Sequence, residues 1–155
     1  MLQVAIDTQD QNDVIWGQAV SGNYFDVMQV KPLMGRAFLP EEDGAPGAHP
    51  VVVLGHSLWE RRLGSDPNIV GKKLRLNNRP YEVIGVAPKF FKGSKFGLSM
   101  DFWVPIAMVE ELRGVTDWLK SRNSHWMNVI GRLKPGVSLT QATAEVNAIS
   151  SRLNQ

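Results

Sequence analysis

The stretch Lys73-Leu74-Arg75-Leu76-Asn77-Asn78-Arg79-Pro80-Tyr81-Glu82-Val83-Ile84-Gly85-Val86 constrains the fold more than any other part of the chain. Lys73 to Leu76 alternates polar and apolar residues, the period of a strand with one buried face. Asn77 and Asn78 tolerate left-handed backbone and favour tight hairpin turns, and Tyr81 to Val86 is rich in residues that suit a pleated surface. Pro80 has no amide to donate, so it belongs at the strand start or on an edge. A β-hairpin follows, and with it an antiparallel sheet.

The residues just before the hairpin, Gly64 and Gly71-Lys72-Lys73, invite a phosphate-binding reading. A P-loop places four residues between its glycines, ends in Gly-Lys-Ser/Thr and leads into a helix. Here six residues separate the glycines, Lys73 stands where the metal-binding hydroxyl is needed, and a strand comes next. The stretch turns the chain and offers no nucleotide site.

With 155 residues, 43% hydrophobic and 21% charged, the chain is expected to form one domain of ordinary size or two small lobes, and it lacks the composition of a disordered segment. Its formal charge is +2 and its basic residues are scattered, without the stripe that follows a nucleic-acid backbone. The absence of cysteine excludes disulfides, thiolate metal sites and cysteine nucleophiles. Apolar runs such as Phe102 to Val109 fall short of the roughly 18 residues of a membrane span. Met-Leu-Gln-Val-Ala-Ile-Asp at the N-terminus has neither the basic region nor the long apolar core of a signal peptide. If this domain works outside the cytoplasm, the chain is expected to be a piece excised from something larger.

Strands are expected at residues 2–6 and 14–20, separated by a polar loop from Asp7 to Asp13. Ser21 can cap a short helix through Met28 with its hydroxyl, and Lys31-Pro32 ends it. A surface loop over 32–48 precedes a buried strand at Pro50–Leu54, a short helix at His56–Leu63 and the hairpin. After a glycine- and lysine-bearing loop from Pro88 to Met100 come a strand at Asp101–Ile106 and a helix near Ala107–Arg113. Trp126 to Leu133 alternates like a strand, Lys134-Pro135-Gly136 turns the chain, and Ser138-Leu139-Thr140-Gln141 fits a capping box. Leu139, Ala142, Val146, Ile149 and Leu153 recur on one helical face. An isolated helix of this length is marginal in water, so this face is expected to lie buried across a sheet, with Gln141, Glu145 and Arg152 wet.

Few residues carry a chemical signal. His56 and Glu60 are four apart on one helix, but a metal site needs three or four converging ligands, and His49 and His125 are distant in sequence. Glu41-Glu42-Asp43 lacks the alternating ligands of a calcium loop and reads as a solvated acidic turn. Gly55-His56-Ser57-Leu58-Trp59 resembles a nucleophile elbow only superficially, because Trp59 replaces the final glycine that the tight turn requires. No nucleophile, base and orienter can be assembled, so no catalytic residue, cofactor or metal is expected. Trp59, Trp103 and Trp126 sit in apolar patterns and read as core. Trp118, in Thr116-Asp117-Trp118-Leu119, is the one candidate partner contact, since aromatic residues are enriched at interface centres.

Four phrases together carry a resemblance over residues 20–150: VSGNYFDVMQVKPLMGRAFLPEED, VVVLGHSLWERRLGSDPNIVGKKLRLNNRPYEVIGVAP, DFWVPI and GRLKPGVSLTQATAEVNAI. In this order they resemble the MacB-like periplasmic core domain of bacterial ABC transporter permeases of the MacB/FtsX type. The resemblance implies an α+β fold, with a porter-like lobe of mixed sheet and packed helices from about 1–48 and 120–155, and a smaller β-rich inserted lobe from about 49–119. It implies a non-enzymatic extracytoplasmic domain at the inner membrane, in the periplasm, that couples transport or contacts cargo or partner proteins. Its partners would be the parent permease's transmembrane helices, a cytoplasmic ATPase domain or subunit, and a periplasmic partner protein. Such domains usually carry a further strand and helix ahead of the position of Leu2, so an open sheet edge and weak self-association of the fragment are expected. A free-standing periplasmic binding or interaction module is the second function class that these residues accommodate.

Overall fold

The computed structural model of the chain describes residues 1–8, 11–117, 119 and 127–153 and falls into two compact units, Met1–His125 and Trp126–Gln155. In the first unit, β1 (Leu2–Thr8) and β2 (Gln11–Val20) form an antiparallel hairpin with Leu2 opposite Gly17 and Thr8 opposite Gln11. The polar loop expected from Asp7 to Asp13 is thus mostly strand, because a continuous ladder satisfies the backbone of its polar residues. After α1 (Tyr24–Met28) come the short β3 (Met34–Gly35), a 3-10 turn at Pro40–Asp43, β4 (Val51–Leu54) and α2 (His56–Arg62). The unit continues with β5 (Lys73–Leu76), β6 (Arg79–Val86), β7 (Phe102–Pro105), a 3-10 turn at Ile106–Met108 and α3 (Val109–Arg113).

The start of α1 differs from its sequence reading in one detail. Tyr24 N donates to the Ser21 backbone carbonyl, while the Ser21 hydroxyl is hydrogen-bonded to Asn23 Oδ1, so the main chain rather than the hydroxyl closes the first turn.

Among the described residues the strands run β3-β6-β4-β7-β2-β1-β5, and β5 also pairs with β6. The pairings β6-β4-β7-β2-β1-β5 therefore return to their starting strand and close a ring, with β3 added beside the end of β6. This corrects the expected open edge: each ring strand is paired on both sides over part of its length, and such closure removes the template for edge-to-edge association. β1, β2 and β3, from residues 1–48, share this sheet with β4 to β7 from residues 49–119.

The two sheet faces bury different sets. The registers place Leu2, Val4, Ile6, Ile15, Val52, Leu54, Leu74, Leu76, Tyr81, Val83, Phe102 and Val104 on the ring's inner face, all buried. Gly17 faces Phe102 across the parallel β2–β7 pair; a Cβ there would overlap the Phe102 ring, so glycine is what admits the aromatic. The opposite face carries a second core of Val20, Tyr24, Phe25, Phe38, Val51, Val53, Ile84, Phe91, Met100 and Trp103. Both faces of β4 and β7 are consequently buried, which explains why Val51–Leu54 reads as an unbroken apolar run.

The second unit contains α4 (Leu139–Leu153). Its capping box forms as read: Gln141 N donates to Ser138 Oγ at 3.2 Å, and Ser138 N donates to Gln141 Oε1 at 2.9 Å. Leu139, Val146, Ile149 and Leu153 fall on one face of the helix, as the periodicity predicts, and no described element of the second unit covers that face. Residues 127–133 contain no strand; alternation yields a strand only where a partner completes the ladder. Trp126 lies outside the described residues.

Candidate functional site

The groups with chemical potential are held by structural contacts. His56 opens α2 with 12% of its side chain exposed; its Nδ1 lies 3.7 Å from Glu60 Oε2, and its ring meets the edge of Trp59 at 5.3 Å. Glu60 also lies 4.0 Å from Lys89 Nζ. Among the described residues no three metal-ligating side chains converge. Ser57 Oγ is 3.5 Å from Lys92 Nζ, an ammonium that carries no lone pair with which to take the hydroxyl proton when charged.

The phosphate reading of Gly64–Lys73 fails on geometry as well as spacing. The amides of Gly71 and Lys72 are given to Val83 O and Ile69 O. Asp66 meets Lys72 Nζ at 2.5 Å, and its other oxygen accepts from Asn68 N at 2.9 Å. The Lys72 contact first, then the Asn68 amide, holds the Asp66 carboxyl below its ordinary range, so an anion already occupies the lysine.

The acidic triplet corrects its expected role as a solvated turn. Glu42 is 4% exposed and accepts from Arg36 through both oxygens, at 2.7 and 3.1 Å, and from Leu39 N at 2.8 Å. Burial alone would raise its pKa, but the hydrogen bonds from Arg36 and Leu39 outweigh it and hold the carboxyl below its ordinary value. The Arg36 guanidinium is raised in turn, first by the same hydrogen bond. Asp43 accepts from Gly22 N, which ties the 3-10 turn to the start of α1. A charge run read from sequence as wet is in fact a latch on the 32–48 loop, because a close-lying arginine can satisfy a buried carboxylate.

Trp103 is fully buried, with Nε1 donating to Gln18 Oε1 at 3.2 Å, and Trp59 is half-buried with Nε1 donating to Asp66 O at 2.9 Å. Trp118, the candidate partner contact, lies outside the described residues. Beside it Asp117 adopts φ 60° and Leu119 N donates to Glu110 Oε1 at 2.8 Å. The surface feature that sequence reasoning missed is the loop between β6 and β7, where Phe90, Phe96 and Leu98 are exposed among Lys89, Lys92 and Lys95. Its signal was present in Lys89-Phe90-Phe91-Lys92-Gly93-Ser94-Lys95-Phe96, where aromatic residues interleave with lysines and the stretch itself holds no acid.

The MacB-like periplasmic core domain family matches residues 2–149 of the chain. The macrolide export ATP-binding/permease proteins MacB of Salmonella paratyphi A and Salmonella typhimurium are each 29% identical over 134 residues, which are 84% of this chain and 19% of those proteins. The chain thus spans about a fifth of the length of the curated relatives it matches. Among solved structures, the periplasmic region of MacB from Actinobacillus actinomycetemcomitans superposes with a TM-score of 0.65 at 19% identity, over 97% of this chain and 63% of that one. The extracellular domain of the noncanonic ABC-type transporter YknZ from Gram-positive bacteria gives 0.56 at 22% identity, over 73% and 55%. Both likenesses concern the fold, a mixture of helices and sheet.

Proposed function

The chain belongs to the MacB-like periplasmic core domain family, the periplasmic domain of MacB/FtsX-like ABC transporter permeases, and from that premise we propose that it serves as a non-enzymatic coupling and contact domain. The observation that carries this reading is how the reactive groups are used: Glu42, Asp43 and Asp66 are engaged in local contacts, and among the described residues His56 and Ser57 lack the partners of a catalytic constellation. What such a domain offers a transporter is a shaped surface on a stable sheet, while ATP is hydrolysed by another domain or subunit. Trp118 is part of this proposal as a contact for a periplasmic partner.

The test is made in the intact permease. Trp118→Ala is expected to lower transport without lowering the amount of permease in the membrane, and the isolated chain is expected to neither bind ATP with magnesium nor turn over generic ester, peptide or phosphate substrates. Turnover abolished by Ser57→Ala or His56→Ala would overturn the non-enzymatic reading. A free-standing module remains the second reading; a parent reading frame with membrane spans on both sides of this segment decides against it.

A further inference from the structure

The 88–100 loop is fixed at its base and bare at its tip. Phe91 stacks on Trp103 at a ring separation of 5.2 Å and also meets Phe25 at 5.8 Å, and Met100 is 2% exposed. Phe91 N donates to Pro88 O, Met100 N to Lys92 O and Leu98 N to Lys95 O. From this anchored frame Phe90 and Phe96 stand out at 78% and 107% exposure, with Leu98 at 46%. Lys89, Lys92 and Lys95 alternate with them, and no Asp or Glu occurs from Val83 to Met100.

We propose that this loop docks on an anionic phospholipid surface, with Phe90 and Phe96 entering the interfacial layer and Lys89, Lys92 and Lys95 meeting lipid phosphates. Charge complementarity names the occupant: the loop carries three lysines and no acid of its own, and Glu60 of α2 approaches Lys89 at 4.0 Å. Residue chemistry narrows it further. Protein interfaces are depleted in lysine, whereas phenylalanine and leucine combined with lysine suit a membrane surface, where the lysine stem lies along apolar matter and its head reaches the phosphate layer. The inference rests on the reading that the domain belongs to a membrane permease, which provides the nearby bilayer.

The chain should co-sediment with phosphatidylcholine vesicles that contain phosphatidylglycerol, and far less with phosphatidylcholine alone. A lysine near an anionic surface contributes about five-fold to partitioning, so Lys89→Gln/Lys92→Gln/Lys95→Gln should weaken binding by about ten-fold or more, as should added salt. Phe90→Ser/Phe96→Ser should reduce it comparably, with the circular dichroism of both variants unchanged because the substituted positions are largely outside the core. Absence of binding to anionic vesicles, or binding that both variants retain, would overturn the proposal. A photo-crosslinker at position 96 of the intact permease separates the remaining case: lipid adducts support the proposal, and adducts to protein alone overturn it in favour of a protein partner. Neither failure touches the coupling role, which is read by transport.

Discussion

At the scale of single residues, two buried ionisable groups, Tyr81 and Glu42, make opposite predictions about pH. Tyr81 is fully buried inside the ring, and its hydroxyl has no hydrogen-bond partner among the described residues; burial pushes its pKa up from 10.0 to about 12. Because the folded value is the higher one, its contribution is intact below 10.0 and is lost as pH rises toward about 12. Tyr81→Phe should therefore melt at or above the parent temperature at neutral pH, since it removes an unpaired polar group, and should lose less stability than the parent across that alkaline window in urea titrations. Glu42 has the reverse sign. Its folded value is depressed below 4.5, so its contribution is present above that value and lost as pH falls through the folded one. Glu42→Gln should cost about 1–3 kcal/mol near neutrality and flatten the acid limb of the stability profile. Neither burial was read from the sequence: Tyr81 lay in a run of β-forming residues whose faces the run does not assign, and Glu42 sat in a charge run whose partner Arg36 only the folded loop supplies.

At the scale of elements, the hairpin was legible in full. Asn77 and Asn78 adopt φ 48° and 64°, the doubly left-handed turn that joins two strands by two residues, and Leu76 pairs with Arg79 across it. What the sequence did not show is how much Asn77 does. Its backbone N donates to Ala5 O at 2.9 Å, its Oδ1 accepts from Ala5 N at 2.8 Å, and its Nδ2 donates to Leu112 O at 2.9 Å, so one side chain extends the β1–β5 ladder and ties it to α3. Asn77→Gly keeps the turn but removes both side-chain bonds, and denaturant unfolding should register a loss of about 1–3 kcal/mol. For α4 the periodicity predicts a docked helix, in which Ile149→Asp would cost several kcal/mol and Glu145→Lys less than about 0.5 kcal/mol; thermal melts of the two variants check it.

At the scale of the whole molecule, closure of the ring is the organising fact. The β5–β6 hairpin is local, but the pairs β2–β7 and β1–β5 join residues far apart in sequence, and each needs its neighbour already in place. Unfolding of Met1–His125 should be cooperative for that reason. Thermal melts followed by near-ultraviolet circular dichroism and by tryptophan fluorescence should therefore coincide, and two separate transitions for the sheet would count against it.

The sequence by itself determined the local events: the Asn-Asn turn, the Ser138–Gln141 cap, the apolar β4 and β7, the failure of the phosphate and elbow motifs, and the four phrases that carry the family resemblance. Each rests on neighbours within a few residues, where backbone preference and spacing decide. Only the tertiary structure decided that the strands close into a ring, that Glu42 is a buried latch and that Phe90 and Phe96 face outward while Phe91 faces inward. Those outcomes depend on which surface is available to cover a side chain, and a periodic pattern states that a face is apolar without stating what will meet it.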